Sequence, residues 1–177
     1  MNEPITTQNT SSKQDVEFDR AVEFLQVIGI PVYFRSLEED CFLPGVRIEG
    51  SCLVVDREKL KFPGDILHEA GHIAVVPAAE RKTLTETSIA NRPMREAEEM
   101  MAIAWSYAAC VHLGFDAKFV FHDHGYKNGG SSIAENFSRG HYFGVPMLQW
   151  TGMALEKKNE NDPALPVYPA MLKWLRD

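Results

Sequence analysis

The sequence predicts an α+β fold, and three observations carry that prediction. The pattern runs from one amphipathic helix through a few short strands to helices only. The chain has 177 residues, 45% of them hydrophobic and 24% charged, enough for one domain with a real core. No internal repeat and no linker divides it. The expected architecture is a small mixed or antiparallel sheet of about three strands, packed against a histidine-bearing helix and several further helices. Residues 16–177 form a single domain on this reading, with residues 115–177 as its helical C-terminal extension. Residues 1–15, "MNEPITTQNTSSKQD", have the composition of a disordered lead.

Each element has its own signal. "QDVEFDRAVEFLQVIG" puts Phe18, Val22 and Leu25 on one helical face, with Val16 and Ile28 beside that stripe. Gly29 closes this helix and Pro31 stops it. "IPVYFR" is rich in β-branched and aromatic residues and reads as a strand. "SLEEDCFLPG" is a loop, and "VRIEGSCLVVD" is a hairpin turning at Gly50 and Ser51. In "PGDILHEAGHIAVV", Asp65 is the expected N-cap of an apolar helix that Pro77 limits. "AERKTLTETSIANRP" is a polar connection, long enough to suggest a functional role. Asn91 and Pro93 open a long helix, "MREAEEMMAIAWSYAACVHLG", which closes at Gly114. "FDAKFVFHDHGYKNGGSS" is a short structured piece followed by a glycine-rich loop. Ser132 and Glu135 have capping-box spacing for a helix ending near Gly140, and two more short helices are expected near Pro146 and Pro169.

Composition excludes several classes of function. A net charge of −7 argues against nucleic acid or an anionic membrane as the main partner. No run of 18 apolar residues is present, so no membrane span is expected. The first residues lack the basic and apolar regions of a secretory signal. Cys41, Cys52 and Cys110 are an odd set without C-x-x-C spacing, which fits a reducing cytoplasm and no cysteine metal site.

Chemistry concentrates in His68-Glu69-Ala70-Gly71-His72, an H-E-x-x-H pattern. A helix advances about 100° per residue, so His68 and His72 lie about 40° apart and one turn apart. Two imidazoles there can meet one metal ion at about 2.0–2.1 Å. Glu69 is turned away from that pair by about 100° from His68, poorly placed as a ligand but well placed as a general base for an activated water. Gly71 leaves room for another element to pack closely behind the site. Chance would give such a spacing in about 2% of chains of this composition. The competing reading is a buried helix with two satisfied histidines.

A catalytic zinc site has three protein ligands and an open position. His112, His122, His124 and His141 are candidates for the third, as are Glu96, Glu98 and Glu99. No histidine stands at the short spacing of H-E-x-x-H-x-x-G-x-x-H, which leaves an acid of the following helix as the natural choice. Glu96 fits the helix N-terminus without further explanation. Glu99 lies deepest in the apolar part of that sequence, where a carboxylate needs a cation, and Glu98 is next. Ala102, Ala104, Ala108 and Ala109 would let the two helices press together.

These phrases resemble the ImmA/IrrE-type metallopeptidase domain, a compact zinc metallopeptidase of the gluzincin kind, over roughly Phe18 to Leu113. "VIGIPVYF" stands for the family's helix-to-strand phrase, "CLVVD" for the strand before the catalytic helix, "HEAGH" for the zinc helix, and "EMMAIA" for the phrase opening on the third ligand. The resemblance implies a zincin-like fold and one Zn²⁺ bound by His68, His72 and Glu99. It also implies Glu69 as the base and a peptide or protein as substrate. "EMMAIAWSYAA" follows the family's pattern only loosely, the residues after Leu113 have no counterpart in it, and no helix-turn-helix module is evident.

In "VFHDHGYKNGG", Tyr126 and His122 are the favoured candidates to stabilise an oxyanion or support the metal shell, against a plain polar loop. Phe143, Met147, Leu148 and Trp150 read as packing residues, His141 as a surface histidine, and Trp105 with Tyr107 as core. Two functions follow: a cytoplasmic zinc hydrolase, most simply a peptidase, or a non-catalytic interaction module with a structural or vestigial metal site. A third is hydrolysis of a non-peptide amide, which the same chemistry permits.

Overall fold

The structure, a computed structural model, describes residues 12–38 and 43–177. Cys41 and most of the expected N-terminal lead lie outside the described residues. The first helix, α1 (Lys13–Val27), starts before the expected boundary because Ser12 and Asp15 cap it reciprocally. Its buried face carries Phe18, Val22 and Leu25 as expected, joined by Ala21 and Phe24, while Val16 is exposed.

Three strands follow: β1 (Val32–Phe34), β2 (Val46–Glu49) and β3 (Cys52–Val55). β2 and β3 form the predicted hairpin, with Glu49 opposite Cys52 across Gly50 and Ser51. β1 adds in parallel on the other side of β3, with Val32 opposite Leu53, so the sheet is mixed and ordered β1-β3-β2. Leu53, Val54 and Val55 of the central strand are all buried, as a strand covered on both faces requires.

Helix α2 (Asp65–Val75) packs between this sheet and the long α4 (Arg95–Leu113). Ile66, Leu67, Ile73 and Ala74 are fully buried, and each large aliphatic side chain contributes about 1.5–3 kcal/mol by leaving water. Ala102, Ala104, Ala108 and Ala109 of α4 are also fully buried. A Cβ at Gly71 would lie 2.9 Å from the Ala102 carbonyl oxygen, so the two backbones touch where the small residues predicted. The last carbonyls of α2 are satisfied from outside the helix. Arg81 donates to Ile73, the Arg176 amide to Ala74 and its guanidinium to Val75.

Several expectations are corrected. The connection after α2 is not bare: it holds a 3₁₀ turn at Arg81–Thr83 and a short helix, α3 (Glu86–Ala90), capped by Thr85 and Ser88. Five residues are too few to show helical periodicity. Asp65 is not the N-cap of α2; Gly64 is, and the Asp65 carboxylate turns to a distant partner. Helix α5 (Gly130–Ser138) begins before Ser132, so the expected capping box does not form. Helix α6 (Val145–Trp150) carries Pro146 in its first turn as predicted, but no helix forms near Pro169. Residues 151–177 run as turns that insert side chains into the core. The Tyr168 hydroxyl donates to the Ala104 carbonyl at 2.8 Å, and the indole of Trp105, a core residue as expected, donates to Trp174 at 2.8 Å. Leu148 is buried, whereas Trp150 is 74% exposed rather than packed. No described helix is long and apolar enough to cross a membrane.

Candidate metal centre

His68 and His72 project from one face of α2 with ring centroids 4.7 Å apart. Their Nε2 atoms both face Glu99, at 3.6 Å from His68 to Oε1 and 3.3 Å from His72 to Oε2. Bonds of about 2.0–2.1 Å in a tetrahedron place ligand atoms about 3.3 Å apart, so the observed spacing suits a small divalent ion. Among the described residues this is the one group of three such side chains with ligand atoms mutually within 4.8 Å.

The other candidates are held elsewhere. Glu98 is the buried acid, and its cation is Arg92, whose Nη2 bonds Oε1 at 2.9 Å. Glu99 keeps 45% of its side chain exposed, so depth in the apolar sequence was the wrong argument for it. Helix geometry places it: Glu99 and Ala102 are three residues apart, and Ala102 sits against Gly71 between the two histidines. Glu96 is exposed beside Arg95. His112 packs against Phe24 and Trp174, His141 is exposed, and His124 stacks on Phe62 at 5.6 Å.

Burial sets the protonation of the site. It holds His68 well below its ordinary pKa and His72 near 4, so both imidazoles are neutral at pH 7 and carry lone pairs for a metal. Burial, followed by the nearby Asp65, Glu86 and Glu99, pushes Glu69 up to about 8. Partial burial also raises Glu99. Two neutral nitrogens and a carboxylate are the donor set that a zinc-like ion takes, and a dication here would favour the ionised form of both acids.

Tyr126 approaches from the loop after α4. Its ring meets His68 edge-on with centroids 5.2 Å apart, and its hydroxyl is buried without a partner. Burial and the acids Asp65, Glu99 and Glu69 hold the phenol far above its ordinary pKa, so it stays a donor. Tyr126, Lys127 and Asn128 have φ of 54°, 55° and 66°, three consecutive non-glycine residues in left-handed geometry. Such residues cost about 1–2 kcal/mol each and cluster where a side chain must be aimed. His122 lies in the same loop, with Nε2 2.9 Å from Asp65 Oδ1.

Asp65 is the site neighbour that sequence reasoning missed as such. Its position before an apolar helix signalled only a cap, and nothing in the pattern points to a histidine 57 residues later. A cavity of about 590 Å³ between α4, the 117–119 turn and α5, floored by Tyr107 and Cys110, contains none of these residues. Comparisons with protein-family models, with curated proteins and with solved structures found no match for this chain.

Proposed function

We propose that the protein is a zinc-dependent hydrolase of zincin-like design, a metallopeptidase acting on a peptide or protein substrate in the cytoplasm. The observation that carries this reading is the convergence of His68 Nε2, His72 Nε2 and Glu99 on one point, with the buried Glu69 beside them. A divalent ion held by these three would lower the pKa of a coordinated water to about 7 and polarise a carbonyl oxygen.

The residues divide the work. His68 and His72, already neutral, bind without first losing protons. Glu69, which a dication would hold ionised against its burial and its acidic neighbours, takes a proton from the attacking water and holds it for the leaving nitrogen, a role worth about 10²–10⁴ in rate. Tyr126, whose ring abuts His68, carries a buried unpaired hydroxyl that can donate to the oxygen that gains negative charge. The buried setting of Glu69 and Tyr126 keeps bulk water from competing for these bonds.

Glu69→Gln tests the reading. The variant should take up metal as wild type does and lose about 10²-fold or more of its hydrolysis of a quenched peptide library. Unchanged hydrolysis would overturn Glu69 as the base, and no hydrolysis by metal-loaded wild type would overturn the enzyme reading. Metal analysis of Glu99→Ala tests the ligand set separately, because retained stoichiometric zinc would exclude Glu99.

A further inference from the structure

Three buried polar atoms around α2 have no hydrogen-bond partner: His68 Nδ1, His122 Nδ1 and the Tyr126 hydroxyl. Their side chains are neighbours. The Tyr126 ring abuts His68. The His122 ring bonds Asp65, which precedes His68 by three residues on α2, a spacing that puts two side chains on one helical face. His122 and Tyr126 share one short loop. Unpaired buried polar atoms are rare, and three around one histidine require an explanation.

Proton accounting supplies it. An ionised Asp65 can only accept, so its 2.9 Å contact with His122 Nε2 selects the tautomer with hydrogen on Nε2 and leaves Nδ1 as an acceptor. His68 faces Glu99 through Nε2, and an imidazole that gives Nε2 to a metal carries its hydrogen on Nδ1. One orphan is therefore a donor and the other an acceptor. A water within reach of all three would accept from His68 Nδ1–H and donate to His122 Nδ1 and the Tyr126 oxygen. Three bonds is the usual number for a buried water. The Tyr126 proton then stays free for a substrate.

The His122 ring is fixed for such a task. It stacks on Phe62 at 3.8 Å with planes 13° apart. On another side, a Cβ at Gly125 would lie 3.0 Å from His122 Cε1. The side chains of His122 and Asp65 are only 15% and 9% exposed.

We propose that Asp65 and His122 are positioning residues for the metal centre, orienting His68 through its Nδ1–H by way of one bridging water shared with Tyr126. The inference rests on the metal-site reading above and adds a support that the three ligands do not supply themselves. Outer partners of this kind hold a ligand's ring and tautomer, and their loss typically costs about 10–100-fold in metal affinity.

The test is zinc affinity by chelator competition, with ¹⁵N NMR of the histidine rings. His122→Phe keeps the stack on Phe62 and should bind zinc about 10–100-fold more weakly. Asp65→Asn keeps an acceptor but drops the charge, so it should weaken binding by a smaller factor. That variant covers the case in which His122→Phe fails to fold. In wild type, NMR should show His122 with its hydrogen on Nε2. Wild-type affinity in both variants, or His122 protonated on Nδ1 alone, overturns the inference while the metal site stands. Absence of zinc uptake by wild type overturns the metal-site reading itself and this inference with it.

Discussion

Gly71→Ala probes the contact that sets the geometry of the candidate site. The added Cβ would lie 2.9 Å from the Ala102 carbonyl oxygen and 3.2 Å from both Ala102 Cα and Cβ. Ordinary contacts need about half an ångström more, and two of these three atoms are backbone, so α2 and α4 must part by about that much. Overpacking of this kind costs about 1–3 kcal/mol, and alanine recovers up to about 1 kcal/mol of helix propensity. A net loss of about 1 kcal/mol follows, equivalent to a fall in Tm of about 2–4 °C. The larger effect should be on metal. Glu99 rides on α4 one turn before Ala102, so the 3.3 Å and 3.6 Å separations to His72 and His68 widen together. Zinc affinity should fall about 10–100-fold, as when a ligand loses its support. Gly140→Ala is the control: it meets nothing within 4 Å but sits at φ 79°, so it loses stability through backbone strain alone and keeps its metal affinity. Urea denaturation of the chelator-treated protein and competitive zinc titration measure the two effects. Wild-type zinc affinity in Gly71→Ala would refute the claim that this contact positions Glu99.

Two further predictions concern the metal-free fold. His72 is held near 4 against about 6.5 when unfolded. Below about pH 6.5 the unfolded chain binds a proton that the fold refuses, so stability should drop toward pH 4 by about 3 kcal/mol. Glu69 works in the opposite direction: its folded pKa of about 8 retains a proton that the unfolded chain releases above about 4.3. Stability is therefore lost as pH rises through that window, and Glu69→Gln should make the metal-free protein more stable than wild type at pH 8. Urea midpoints across pH 4–9 check both signs, and a destabilised Glu69→Gln at pH 8 would contradict the second. Trp174→Ala removes a ring packed edge-on against Phe24 at 4.8 Å and Trp105 at 5.6 Å, and should cost about 3 kcal/mol, read by thermal unfolding.

What the sequence disclosed of the site was what helical periodicity carries. The i, i+4 spacing of His68 and His72 needs only a helix, and the small residues of α4 announced a close helix pair. Periodicity could not separate Glu98 from Glu99, because adjacent residues differ only in which neighbour they meet. Depth in the apolar sequence favoured Glu99, yet the structure buries Glu98 and pairs it with Arg92, while Glu99 stays 45% exposed. Asp65 was misread because a cap is a local event, whereas its actual partner, His122, arrives through tertiary packing. The left-handed run at Tyr126, Lys127 and Asn128 was equally hidden, since none of the three is glycine. Residues 151–177 defeated pattern reading because their contacts are single inserted rings, which have no period.

The distant caps on α2 also bear on the order of folding. The carbonyls of Ala74 and Val75 wait for Arg176, about one hundred residues downstream, and closing a loop of that length carries an entropic cost of about 4 kcal/mol. Such contacts form late. Until then the last turn of α2, which carries His72, has open carbonyls and frays. His72 lies in that last turn, so an ion held by the pair would gain its second imidazole only once Arg176 docks.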